Sequence, residues 1–182
     1  MAVPSAVSPI TIEEYLSNPA YEHCEYIDGQ AVEINVGNIP HARIQAKVAR
    51  ELDEYFDTRP GGYVAVELRC RLTVAGRTRF YLPDVAVVLT APTSPEARFL
   101  EGAPDLVIGI RFPDDLLSAL FRKMNDYFAN GTKLAWLILP EERSVLIFTP
   151  NAVTRTALPE EILDGGDLLA GLQIRVDELF SE

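Results

Sequence analysis

Residues 103–115, APDLVIGIRFPDD, constrain this chain more than any other stretch. Leu106, Val107, Ile108, Ile110 and Phe112 make residues 105–112 a buried β-strand. Pro113-Asp114-Asp115 then opens a helix, with Asp114 as its N-cap. Leu116, Leu117, Leu120, Phe121, Met124, Tyr127 and Phe128 give that helix one broad apolar face. Asn130-Gly131 ends it, and Lys133–Leu139 follows as a fully apolar strand carrying Trp136. Two buried strands around an amphipathic helix demand a sheet with helices packed on it. Within the first strand sit two residues that packing alone does not ask for. Gly109 gives up backbone entropy and packs nothing, and Arg111, two positions on, shares its face.

The rest of the chain supplies the other layers. Thr11-Ile12-Glu13-Glu14 is a capping box that opens a short helix ending near Asn18-Pro19. Residues 25–34 form two apolar runs around Asp28-Gly29, a hairpin signal. Between Pro40 and Phe56, Ile44, Val48 and Leu52 mark a longer helix. Strands are expected over Tyr63–Leu72 and Phe80–Leu89, with a Pro-rich loop at 91–104. After Trp136 come a strand at Ser144–Phe148, another near Val153–Ala157, and a short helix at Val176–Phe180. The order predicts an α/β or α+β fold, a mixed sheet flanked by helices. Residues 1–9 read as a flexible tail and 10–182 as one domain, about what 182 residues build.

Composition narrows the partners. A net charge of −11 argues against strong non-specific binding to duplex phosphate. No apolar run reaches the ~20 residues of a membrane span, and the first residues lack a signal peptide's basic and apolar regions. Cys24 and Cys70 share no metal-type spacing and read as free thiols of a reducing cytoplasm.

Asp84 and Asp105 each follow a proline and precede an apolar strand. Such a carboxylate is either a turn or cap residue or a ligand, and a hard cation needs several oxygens. On the long helix, His41, Arg43, Lys47 and Arg50 lie before Glu51, Asp53 and Glu54. That order opposes the helix dipole, and marks either a solvated face or a basic end that meets phosphate.

The order of these motifs resembles the Uma-two family, bacterial proteins described as putative restriction endonucleases with the PD-(D/E)XK nuclease fold. The matching segments are ThrIleGluGluTyrLeu (11–16), GluTyrIleAspGly (25–29), His41, LeuProAspValAlaValVal (82–88) and GlyAlaProAspLeuValIle (102–108). Lys123, Tyr127, Gly131, Trp136 and residues 169–180 complete the series. The resemblance implies a restriction endonuclease-like domain and metal-dependent phosphodiester hydrolysis of DNA, with Mg or Mn as the cofactor. In that scheme an Asp after Pro and a Glu on the next strand hold the ion, which lowers the pKa of a bound water. Asp84 stands at the Asp position, and Gly109 stands where the Glu belongs. Arg111 occupies the place where many members of the wider superfamily carry Lys.

The resemblance therefore implies a scaffold with its second carboxylate missing. Catalytic roles fall to Asp84 and Lys123, and metal binding to Asp84, with Glu67 or Glu33 as substitute carboxylates. Arginine keeps its proton and cannot act as a general base. Arg111 is expected to pair with Asp84 in place of the metal. Three functions follow: an impaired endonuclease, a catalytically inactive homo-oligomer (a homodimer) or partner-binding protein, and a DNA-binding protein that does not cleave. The last would use His41, Arg43, Lys47 and Arg50.

Overall fold

The computed structural model describes residues 9–35, 37–89, 96–150 and 154–181. The expected tail at 1–9 lies outside them except for Pro9, as do Thr90, residues 91–95 of the expected Pro-rich loop, and residues 151–153, the last of which begins the final expected strand.

Thr11 caps α1 (Ile12–Ser17) by accepting from the Glu14 backbone N–H. Strands β1 (Cys24–Ile27) and β2 (Gln30–Glu33) form the expected hairpin. Its turn holds Asp28 and Gly29 at φ of 51° and 90°, the left-handed region that Asp-Gly pairs tolerate. Asn38 caps α2 (Ile39–Asp57), whose buried stripe is His41, Ile44, Val48 and Leu52.

The expected strand at 63–72 is two strands, β3 (Tyr63–Val66) and β4 (Cys70–Val74). The one at 80–89 is likewise divided, into β5 (Arg77–Tyr81) and β6 (Val85–Val88). In each case the chain leaves one sheet and joins another. Leu82-Pro83-Asp84 makes the second crossing, and proline's missing N–H fits a break between ladders. Next come β7 (Leu100–Glu101) and β8 (Leu106–Ile110).

Helix α3 spans Leu117–Ala129, and its N-cap is Leu116 with no side-chain bond. Asp114 is therefore not the cap. The neighbouring Asp115 folds back instead and accepts from the Phe112 N–H, closing the turn that precedes the helix. Strands β9 (Leu134–Leu139), β10 (Ser144–Phe148) and β11 (Arg155–Ala157) follow. A hairpin of β12 (Ile162–Gly165) and β13 (Leu169–Arg175) precedes α4 (Val176–Leu179).

The architecture is a mixed α+β fold. A six-stranded sheet runs in the order β11-β10-β9-β8-β6-β3, and a five-stranded sheet in the order β2-β1-β5-β4-β7. Strands β8 and β9 are parallel, joined by α3, while β6 lies antiparallel to β8 with Val85 opposite Ile108. Alternation along β8 sends Ile108 and Ile110 into one core, with α2, Trp136 and the β12–β13 hairpin. Val107 enters the opposite core, with Met124 and Tyr127 of α3 and with Cys70, Leu72 and Tyr81 of the smaller sheet. The far face of that sheet packs Tyr26 and Phe80 against Tyr15 of α1. Burying large apolar side chains on both faces of one sheet stabilises the fold by ~1.5–3 kcal/mol for each residue. Cys24 and Cys70 are both unpaired and buried. Among the described residues no helix is long and apolar enough to cross a membrane.

Candidate functional site

A cavity of about 210 Å³ opens where the two sheets meet. Asp84, Ile108, Gly109 and Ile110 line it from the large sheet, Lys123, Met124 and Tyr127 from α3, His41 and Gln45 from α2, and Glu25 from β1. The crossing at Leu82–Asp84 puts Asp84 beside the end of β8. There its Oδ2 accepts from the Ile110 N–H at 2.6 Å. Its backbone carbonyl accepts from Gln45 Nε2 at 2.9 Å.

Histidine 41 reaches Asp84 from the first turn of α2. Its Nε2 lies 3.0 Å from Asp84 Oδ1, a close contact without the alignment of a hydrogen bond. The ring is 5% exposed and stacks on Phe112, with centroids 4.4 Å apart. It is thus a buried wall of the cavity.

Glutamate 25 is a site residue that the sequence disguised as part of a hairpin. It is 5% exposed, and its Oε1 accepts from the Leu82 N–H at 2.9 Å and faces Lys123 Nζ at 2.5 Å. Lys123 also lies 5.2 Å from the Tyr81 ring centroid. The lysine expected at the site therefore does reach the cavity, and its charge is committed to Glu25. The only signal in the sequence was the acidic residue between Cys24 and Tyr26, on a strand that reads as half-buried.

Gly109 contributes no side chain, and its space is partly taken. A Cβ there would stand 3.3 Å from Met124 Cε and 3.5 Å from Leu137 Cδ1. Arg111 does not pair with Asp84. β8 ends at Ile110, the alternation of faces ends with it, and the guanidinium turns to Glu142, with Nη1 2.9 Å from Oε1. The expected substitutes Glu67 and Glu33 line the cavity from exposed positions.

The basic residues of α2 do not form one free surface. Lys47 donates to the Glu178 carbonyl at 3.0 Å and to Ser181 Oγ at 2.8 Å, and Arg50 pairs with Glu51 and Glu54. Arg43 is exposed.

A divalent cation needs several oxygens in one geometry. Asp84 faces His41 and the Ile110 N–H, Glu25 faces Lys123, and Gly109 has no oxygen to offer. Among the described residues no three His, Cys, Asp or Glu are grouped to hold a metal. The donor set does not fit the two-carboxylate ion site that the family resemblance implies.

The hydroxyl of Tyr127, on the same face of α3 one turn after Lys123, has no hydrogen-bond partner, though the residue is 1% exposed. Burial, first, raises its pKa well above the ordinary value; Glu25 and Asp84 act through space in the same direction. The group stays a neutral phenol.

Residues 12–177 match the model of the Uma2 family, described as putative restriction endonuclease. Five solved chains are similar to this one. One of them is the crystal structure of a putative nuclease belonging to DUF820 from Anabaena variabilis ATCC 29413. It is 25% identical, with a TM-score of 0.82, over 94% of this chain and 98% of that one. No curated protein matches.

Proposed function

The chain belongs to the Uma2 family of putative restriction endonucleases, and from that premise we propose that it is an impaired phosphodiester hydrolase. The family points to DNA as substrate and to Mg or Mn as cofactor. The residues of this chain supply only part of what such hydrolysis needs. The observation that carries the reading is Gly109: the second carboxylate is absent and the Met124 methyl reaches toward its place. The charge of Lys123 is spent on Glu25. The remaining carboxylate, Asp84, is held by His41 and the Ile110 N–H. The net charge of −11 offers no general attraction to replace a lost metal clamp on phosphate.

Plasmid nicking in Mn²⁺ tests this. Losing an outer-shell partner of a metal ligand already costs 10–100-fold, so the loss of a ligand predicts a Gly109→Glu variant at least ~100-fold more active than wild type. Wild-type nicking as fast as that of Gly109→Glu, and abolished by Asp84→Ala, would overturn the reading.

A further inference from the structure

Helix α3 turns an apolar flank to solvent. Eight large apolar residues are exposed among the described ones, and three of them fall within six positions at the start of α3: Leu116 at 71%, Leu117 at 36% and Phe121 at 39%. Leu117 and Phe121 are one turn apart and share a face. Phe121 meets Phe148 of β10 edge to face, with ring centroids 5.5 Å apart. Leu146 and Phe148 lie on the α3 side of the large sheet and are only half-buried. β11, the last strand at this edge, adds only Thr156 on that side, opposite Leu146 and exposed. Flank and strand thus make one apolar shelf with no cover among the described residues. Grouped apolar surface of this kind marks an interaction site.

The charges at its two ends say what fits it. Asp114 precedes the helix, Arg122 follows Phe121, and both are exposed. Neither side chain makes a hydrogen bond or ion pair with a described residue. The patch therefore carries an apolar pair with a free anion before it and a free cation after it. A basic or an acidic partner would answer one of these charges and oppose the other. Turned through a two-fold axis, the patch is its own complement. An antiparallel pair of α3 helices, with the axis near Ser118 and Ala119, sets Leu117 beside the partner's Phe121 and Arg122 near the partner's Asp114. Ser118 and Ala119 are small and exposed, so the helix axes can approach to about 8–10 Å.

We propose that this flank of α3 is the interface of a weak two-fold dimer, with a second copy of this chain as its occupant. Few side chains take part on each copy, which puts the contact at the low end of specific interfaces, below about 1,200 Å² in total. None of the interface residues lines the Asp84 cavity. The inference therefore stands or falls apart from the impaired-hydrolase reading.

Sedimentation equilibrium of the full chain, at about 0.15 M salt, tests it. The expected dimer has twice the 20.2 kDa of one chain and a Kd in the micromolar range. Asp114→Arg or Arg122→Asp sets like charges together at both ends of the interface and weakens the dimer at least about tenfold. Both reversals in one chain, or an equal mixture of the two single variants, restore the pairs and bring the Kd back to within about threefold of wild type. The fold is kept, since neither side chain has a partner within its own chain among the described residues. A chain that stays monomeric up to about 1 mM leaves the shelf to another occupant and overturns the inference. So does a dimer that ignores the single reversals, because it forms through another surface. Single losses that the double reversal does not correct overturn the two-fold pairing and the inference with it.

Discussion

Gly109 lies under Met124: a Cβ on the glycine would stand 3.3 Å from the methionine's terminal methyl. The contact joins the strand position that the family resemblance gives to a second carboxylate to a helix residue with a flexible, adaptable side chain. A long side chain at 109 must push that methyl aside, and Leu137 Cδ1 closes the other side at 3.5 Å. Overpacking of this kind costs ~1–3 kcal/mol, so Gly109→Glu is expected to fold with that loss. Shortening the methionine makes room. The double variant Gly109→Glu/Met124→Ala should then be more stable than the two single losses predict, by ~0.5–3 kcal/mol. Urea unfolding of the four proteins checks this cycle.

Glu25 and Lys123 form a largely buried ion pair at the site, with side-chain exposures of 7% and 26%. Lys123→Met leaves a carboxylate buried with only the Leu82 N–H as partner. Breaking one side of a buried pair costs ~3–5 kcal/mol, and the partial exposure of Lys123 puts the expected loss at the lower end. Removing both charges, as Glu25→Gln/Lys123→Met, should recover part of it. A double variant no more stable than Lys123→Met, in equilibrium unfolding, would refute the pairing.

Much of this was legible from residues with strong local signals. The Thr11 cap, the Asp28-Gly29 turn and the stripe of Ile44, Val48 and Leu52 specify their elements within a few neighbours, and each stands where expected. Other features depend on partners far along the chain. Tyr63–Leu72 and Phe80–Leu89 each read as one strand, because nothing local shows a change of sheet. The β12–β13 hairpin was missed: its turn follows Asp164-Gly165-Gly166, and the register shift there blurs the alternation. At the site, the Pro-Asp motif and the glycine of the apolar strand pointed to Asp84 and Gly109, which both line the cavity. Arg111 was misassigned because same-face spacing holds only while a strand continues, and β8 stops one residue earlier. Glu25 was missed because its burial comes from Leu82 and Lys123, which are remote in sequence.

Arg79 clamps Asp28, with Nη2 2.9 Å from Oδ2, and also pairs with Asp126. The hydrogen bond from Arg79 is the leading cause that lowers the Asp28 pKa below its ordinary value; burial opposes it. The folded state therefore favours the carboxylate more than the unfolded chain does. This contribution is complete above the unfolded value of about 3.9, and is lost as pH falls through the lower folded value. In Asp28→Asn the difference in stability from wild type should accordingly shrink below about pH 4. Asparagine tolerates the positive φ of 51°, so the turn is kept. Thermal unfolding at several acid pH values reads the effect; a constant difference across that range would refute it.

Two buried tyrosines should answer oppositely to loss of their hydroxyls. Tyr15 donates to the Cys24 carbonyl at 2.6 Å from a buried position. Tyr15→Phe removes that buried bond, at a cost of ~1–3 kcal/mol. Tyr127 is as buried, and its hydroxyl has no partner. In Tyr127→Phe the folded state no longer carries a desolvated, unpaired group. The variant should be unchanged or more stable, by ~1 kcal/mol. Parallel urea titrations of the two variants compare them directly. A loss in Tyr127→Phe equal to that in Tyr15→Phe would mean that the Tyr127 hydroxyl is satisfied in the free protein.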